Sequence, residues 1–306
     1  MKFSLLLVSW NALEDTRHCL NSLKRQSFTD FETILVDNAS KDGSADMVKK
    51  EFPFVKLIAM DTNTGFASAN NIAAQKATGD LLFIVNTDTE FPVDLLAQLN
   101  EAQKRYMQYD IFSCQMIQFN NRNKTDCKGM CFHHSLRAEM IGTNEDVDPN
   151  EQPFDVFGAT GGAMLIRRSV YQKIGLFDDD FFFNNEDVDF VLRAFAEGFK
   201  TLYLPQAKVY HKRSPNEQKI PDTVLYYIQR NLFYASLKNM PLSMWITNGP
   251  LHFAYNSYQF LKWLTKGKAS IVLKAKKDAL RMFLQKGASP IKSKKLRSIL
   301  GKTKLS

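Results

Sequence analysis

Cysteine is scarce in this sequence: four residues among 306, at Cys19, Cys114, Cys127 and Cys131. That density argues against a secreted disulfide scaffold. Long apolar runs are missing too: the uncharged stretch at 239–261 is interrupted by Gly249-Pro250 and interspersed with Asn, Ser, Thr, His and Gln, short of the roughly 18 consecutive apolar residues that a spanning helix needs. The apolar run from Phe3 to Trp10 is short, is followed by Asn11, Glu14 and Asp15, and lacks a small-residue cleavage site. It reads as a buried first strand and not as a signal peptide. The expected compartment is the cytoplasm. With 44% apolar and 24% charged residues, a disordered or collagen-like chain is excluded and a sizeable core is within reach.

Acidic residues become rare toward the end of the chain. Residues 206–306 hold 20 of the 40 Lys+Arg but only Glu217, Asp222 and Asp278 of the 32 acidic residues, a balance of +17 against −9 for residues 1–205. Three readings compete for this basic third: a surface for anionic lipid, a nucleic-acid site, or a solvated face. Trp245, Tyr255, Tyr258, Phe260 and Trp263, flanked by lysines, favour the membrane surface, and no nucleic acid is expected. Gly249-Pro250 is expected to interrupt this stretch.

The first 120 residues alternate strand and helix. Continuous apolar runs at 2–8, 31–36, 55–59 and 81–85 read as buried strands, and helical periods fall between them. This order implies a doubly wound, mostly parallel sheet whose ligands bind at the carboxyl ends of the strands. The polar clusters at 9–11, 37–40 and 86–88 all sit at those ends. Residues 119–155 read as a long loop. Residues 201–204 and 208–211 read as two short strands, and the chain is helical from Pro221 on.

Several residues are suited to chemistry. Asn86-Thr87-Asp88 closes a buried strand, where a carboxylate suits a hard divalent cation or caps the next helix. Glu186-Asp187 opens a helix behind Phe177, Phe181, Phe182 and Phe183, which suits general-base work or complements the helix dipole. Asp189 and Arg193, four apart, read as a structural salt bridge. His211 is either a metal ligand or structural. Cys127, Cys131, His133 and His134 do not follow a standard zinc spacing, and an ordinary loop is expected there.

Taken in order, these stretches resemble the family 2 glycosyltransferases with the GT-A fold, specifically the rhamnosyltransferase-like subgroup of bacterial polysaccharide assembly. The resemblance rests on Val8-Ser9-Trp10-Asn11, the turn from Val36-Asp37 to Gly43-Ser44, Asn63-Thr64-Gly65 to Asn70-Asn71, Asn86-Thr87-Asp88, Gly161-Gly162 to Arg168, and Phe177-Asp178 through Glu186-Asp187 to Arg193. It covers about residues 3–211. It implies a Rossmann-like, mostly parallel sheet flanked by helices over residues 1–215, followed by a helical, basic extension over 216–306.

The resemblance also implies roles. Ser9, Trp10, Asn11, Asp37 and Asn38 would line the nucleotide pocket, with Gly65, Asn70 and Asn86 near the sugar diphosphate. Asp88 and His211 would hold Mn²⁺ or Mg²⁺, Asn86 replacing the first acid of the family's Asp-X-Asp signature. Asp187 would be the catalytic base of an inverting transfer, with Glu186 orienting the acceptor and Gly161, Gly162 and Arg230 near it. The donor would be a nucleotide sugar, dTDP-rhamnose or a UDP-hexose, and the acceptor a glycan or a polyprenyl-diphosphate-linked glycan in cell-surface polysaccharide synthesis. Residues 240–306 would hold the enzyme peripherally at the inner face of the cell membrane. The alternatives are a catalytically silent scaffold of the same fold, a basic-tail binding protein, and a nucleotidyltransferase. The last is disfavoured because Ser9 to Asp15 is not a glycine- and basic-rich phosphate loop.

Overall fold

The computed structural model describes residues 1–212, 220–289, 291–300 and 302. Its elements are, in order, β1 (Phe3–Ser9), α1 (Leu13–Lys24), β2 (Phe31–Asp37), α2 (Ser44–Glu51), β3 (Val55–Ala59), α3 (Gly65–Lys76), β4 (Leu81–Val85), β5 (Thr89–Glu90), α4 (Leu95–Arg105), β6 (Ile111–Gln118), β7 (Thr125–Cys127), β8 (Gly129–His133), β9 (Arg137–Ile141), β10 (Phe154–Val156), β11 (Ala163–Arg167), α5 (Arg168–Ile174), α6 (Glu186–Glu197), β12 (Thr201–His211), α7 (Asp222–Asn239), α8 (Leu242–Leu264), α9 (Ala269–Lys286) and α10 (Ser293–Arg297).

Side chains along β1 alternate between two apolar layers. Phe3, Leu5 and Leu7 pack on one face of the sheet and Leu6 on the other, so the strand is buried on both sides. The main sheet runs β10-β12-β6-β11-β4-β1-β2-β3. Its β4-β1-β2-β3 half is parallel, β12 is parallel to β6, and β11 is antiparallel between β4 and β6. This is the GT-A arrangement. In-register pairing brings Ser9 opposite Asp37 at the strand ends. The peptide after β4 is held against the turn before β11 by Asn86 N–H donating to the Gly162 carbonyl at 3.1 Å. Functional groups from distant stretches of sequence are thereby gathered on one rim.

Residues 119–155 are not a loop. They build β7 on the edge of β6, the two-stranded sheet β8–β9, and β10 on β12. The strands are short, and β9 is only partly buried, which hid the alternation. Cys127 and Cys131 are buried on β7 and β8, and Cys127 Sγ hydrogen-bonds to the backbone of Gly129. Among the described residues no group of three or more His, Cys, Asp and Glu is arranged to hold a metal by itself. The two strands expected at 201–204 and 208–211 are one, β12, whose register with β6 shifts between Leu204 and Lys208. The shift absorbs Pro205, which cannot donate to the ladder.

Gly249-Pro250 does not break the helix. α8 runs through it for 23 residues, tied to the β8–β9 connection by Asn248 Nδ2 on the His134 carbonyl (3.0 Å) and His252 Nδ1 on the Ser135 carbonyl (2.8 Å). Among the described residues no helix is long and apolar enough to cross a membrane. The C-terminal segments pack on the body. Ile291, Leu296 and Ile299 join the core that contains Leu6 and Ile84. Lys238 on α7 pairs with Asp178 and Asp189 at 2.6 and 2.8 Å, and Asp189 is also bridged to Arg193 at 2.8 Å, as the spacing predicts.

Candidate active site

The segment entering α6 sets the geometry. Phe182, Asn184 and Asn185 all have φ between 61° and 68°, a left-handed conformation that asparagine tolerates and phenylalanine resists. Two elements hold it there. Gly65, at φ 85°, starts α3 directly beneath Phe182, and a β-carbon on it would lie 2.4 Å from the Phe182 carbonyl oxygen. From α7, Asn231 Nδ2 donates to the carbonyls of Phe181, Phe183 and Asn184 at 2.7–2.8 Å, while Arg230 Nη2 donates to those of Asp180 and Phe181. Strain concentrated and over-determined in this way is typical of a functional loop.

The loop delivers Glu186 and Asp187 into a cavity of about 240 Å³ that Asn86, Gly161, Gly162 and His211 also line. Asp187 Oδ2 accepts from Gly161 N–H (2.9 Å) and Thr160 Oγ1 (3.1 Å), and Oδ1 accepts from Val188 N–H (2.8 Å). Burial raises the Asp187 carboxyl above its ordinary range, and those hydrogen bonds oppose the rise. Glu186 is buried with Oε2 unpartnered. Desolvation, reinforced by the Asp187 charge, pushes it up to about 8. Asp187 also lines a second cavity of about 560 Å³, whose other wall is the β8–β9 hairpin with Arg137 and Glu139. Asp187 is therefore shared by the two chambers, as are Met140, Thr160, Asn184 and Asn185.

At the far side of the first chamber His211 ends β12. Its Nε2 lies 3.3 Å from Asp88 Oδ2 and its Nδ1 lies 2.7 Å from Asp126 Oδ2. Burial alone would lower the imidazolium, but hydrogen bonds and attraction from Asp126 and Asp88 outweigh it and lift the group to about 9. Asp88 Oδ1 is buried without a hydrogen-bond partner. An unpartnered carboxylate oxygen beside an imidazole nitrogen, with a carboxylate behind the ring, fits a divalent cation. Asp126 lay inside the expected loop, and nothing in its sequence context marked it.

The residues expected at the nucleotide are distributed along the same rim. Ser9 is buried with Oγ 2.8 Å from Thr16 Oγ1. Asp37 is buried; Oδ2 accepts from Ser40 N–H at 3.0 Å and Oδ1 has no partner. Trp10 is 57% exposed. With Asn38, Gly65, Phe182 and Tyr227 it lines a third cavity of about 430 Å³, where Phe182 and Tyr227 stack at 4.9 Å. Asn11 and Asn38 spend their amides on neighbouring loops, Asn11 on Lys41 N–H and Asn38 on Asn63, Thr64 and Gly65. Asn70 Nδ2 donates to the Phe66 carbonyl and its Oδ1 is buried and unpartnered. Arg230 is not among the residues lining the chambers around Asp187. Its guanidinium is committed to the 180–181 carbonyls and lies 4.8 Å from the Tyr227 ring centroid.

The sequence profile described as "Glycosyl transferase family 2" matches residues 4–175. The chain belongs to glycosyl transferase family 2. This glycosyltransferase is 25% identical over 212 residues to the uncharacterized glycosyltransferase YwdF of Bacillus subtilis, covering 68% of this chain and 73% of the relative. It is 23% identical over 226 residues to the N-acetylglucosaminyl-diphospho-decaprenol L-rhamnosyltransferase of Mycobacterium tuberculosis, covering 66% and 73%. Among solved structures, S. aureus TarS 1–349 in complex with UDP matches with a TM-score of 0.54 at 20% identity, over 77% of this chain and 65% of that one. The mannosyltransferase PcManGT from Pyrobaculum calidifontis, in complex with GDP-Man and Mn²⁺, matches with a TM-score of 0.57 at 15% identity, over 94% and 76%. At these identities the structures speak for the fold.

Proposed function

We propose that the chain is an inverting, metal-dependent glycosyltransferase that moves a sugar from a nucleoside-diphosphate donor to a hydroxyl of a lipid-linked glycan. The observation that carries this reading is the place of Asp187, shared by two chambers, one with Asn86 and His211 and one walled by the β8–β9 hairpin. The donor diphosphate occupies the first and the acceptor sugar the second. Asp187 takes the proton of the acceptor hydroxyl. That oxygen attacks the anomeric carbon from the face opposite the diphosphate, so a new carbon–oxygen bond forms as the bond to the diphosphate breaks, with inversion and no covalent intermediate. The raised Asp187 carboxyl suits a base working near neutral pH. Glu186, neutral at that pH, is a hydrogen-bond donor for orienting the acceptor.

Asp88 and His211 would hold Mn²⁺ or Mg²⁺, which when bound supplies Lewis-acid stabilisation of charge on the departing diphosphate. Ser9, Trp10, Asp37, Asn38, Gly65 and Asn70 would frame the nucleotide and sugar. An L-rhamnosyl donor such as dTDP-rhamnose and a polyprenyl-diphosphate-linked acceptor accord with the name of the mycobacterial relative, and a UDP-hexose donor with the UDP in the TarS complex. In this reading residues 1–215 carry catalysis, and residues 240–306 of the helical extension hold the enzyme at the inner membrane face near its acceptor. The test is Asp187→Asn with a panel of nucleotide sugars and Mn²⁺. Transfer is expected to fall by about 10²–10⁴, while the nucleotide still raises the melting temperature. Undiminished transfer would remove Asp187 from the base role.

A further inference from the structure

Between α8 and α9 lies a cavity of about 520 Å³ that the reaction does not use. Trp245, Phe253 and Leu273 line it together with four polar residues, His252, Asn256, Ser257 and Lys276. Phe253 and Leu273 are 74% and 58% exposed, so apolar groups stand at its rim. Lys276 is half-buried. Its Nζ reaches only neutral acceptors, Asn256 Oδ1 at 2.5 Å and the Gln229 carbonyl at 3.2 Å, and among the described residues no carboxylate pairs with it. Burial without a counter-charge lowers its ammonium to about 8. His252 is 3% exposed. Its Nδ1 is spent on the Ser135 carbonyl, and its buried Nε2 has no partner. The proton then sits on Nδ1 and Nε2 is a bare acceptor.

A cation walled by apolar side chains is costly unless an anion meets it, and a buried bare acceptor is costly unless a hydroxyl meets it. One ligand class satisfies both and also covers the rim: a phosphate bearing a hydroxylated headgroup, with apolar chains that continue past Phe253 and Leu273. The +17 balance of residues 206–306 attracts that charge. Nucleic acid would instead track the exposed lysines and leave the apolar rim in water. We propose that this cavity grips the headgroup of one anionic phospholipid of the bilayer, with Lys276 on the phosphate, His252 on a headgroup hydroxyl, and Phe253 and Leu273 in the acyl layer. The proposal rests on the membrane-surface reading above and makes it specific to one site.

The full chain is sedimented with phosphatidylcholine vesicles, with and without phosphatidylglycerol. Phosphatidylglycerol is expected to raise binding at least about tenfold. Lys277→Met, one position away and exposed, should cost no more than about fivefold, the general worth of one surface lysine, whereas Lys276→Met should abolish most of the phosphatidylglycerol preference. Phe253→Ser, at an exposed position that cannot unsettle the core, should weaken binding about tenfold and keeps the test decisive if Lys276→Met melts early. Equal losses in Lys276→Met and Lys277→Met, with Phe253→Ser neutral, would overturn the site and leave a general basic face at the membrane. No binding to either vesicle would overturn the site and the membrane reading together. Displacement from vesicles by millimolar inorganic phosphate would reassign the cavity to a free anion and overturn the lipid assignment.

Discussion

Glu186 is a carboxylic acid that the fold keeps protonated at neutral pH. Its ordinary value near 4.5 rises to about 8 because burial disfavours the ionised form and Asp187 repels it. Between those two values the folded chain holds a proton that the unfolded chain has released. Its contribution is therefore complete below about pH 4.5, shrinks as pH rises, and is lost above about 8, a loss of up to about 5 kcal/mol. Glu186→Gln removes this dependence. The expected outcome is that the wild type and Glu186→Gln have similar urea midpoints at pH 5, and that the variant becomes progressively more stable as pH approaches 9. Parallel pH curves would show that Glu186 is ionised in the folded chain. Asn231 gives a second residue-scale prediction. Its amide serves three carbonyls of the loop, so Asn231→Ala should cost about 3 kcal/mol in chemical denaturation. It should also depress kcat, because Asp187 leaves its place between the chambers.

At the scale of elements, the start of α3 and the loop before α6 meet without clearance. Gly65 has a positive φ and no room for a β-carbon. Gly65→Ala therefore meets two penalties, about 1 kcal/mol for the left-handed conformation and about 1–3 kcal/mol for overpacking against Phe182. Both a lower melting temperature and a weaker response to nucleotide are expected, since Gly65 and Phe182 also line the cavity beside Trp10. A variant as stable as the wild type would mean that the loop can retreat. This contact illustrates what the sequence reveals and what it hides. The parallel strands were legible because runs such as Leu81–Val85 are apolar without interruption. The hairpin β8–β9 was not, because its strands are short and one of them is half in water, so Lys128, His133 and Arg137 read as loop. Asp88, Asp187 and His211 were singled out through strand-end placement and a resemblance, and the fold brings Asp88 and His211 within 3.3 Å of each other. Asp126, Thr160 and the loop-holding role of Asn231 depend on contacts across tens of residues, which no local pattern encodes.

At the scale of the whole molecule, a strongly basic third is packed on an acidic body, and the rim between the chambers collects carboxylates. A nucleoside diphosphate and Mn²⁺ should therefore stabilise the fold together more than the sum of their separate effects. A ligand present at a hundred times its dissociation constant contributes about 2.7 kcal/mol to unfolding, several degrees in a melting curve. Additive shifts would separate the cation from the diphosphate and count against Asp88 and His211 as its holders. The way α7 grips the loop has a further consequence. The family profile ends at residue 175, yet the loop that aims Asp187 takes its shape from Asn231, fifty positions after Phe181. A chain still emerging from the ribosome can complete strands β1 to β11 without being able to hold that loop. The placement of Asp187 is thus fixed only once α7 has been made, after β1 to β11.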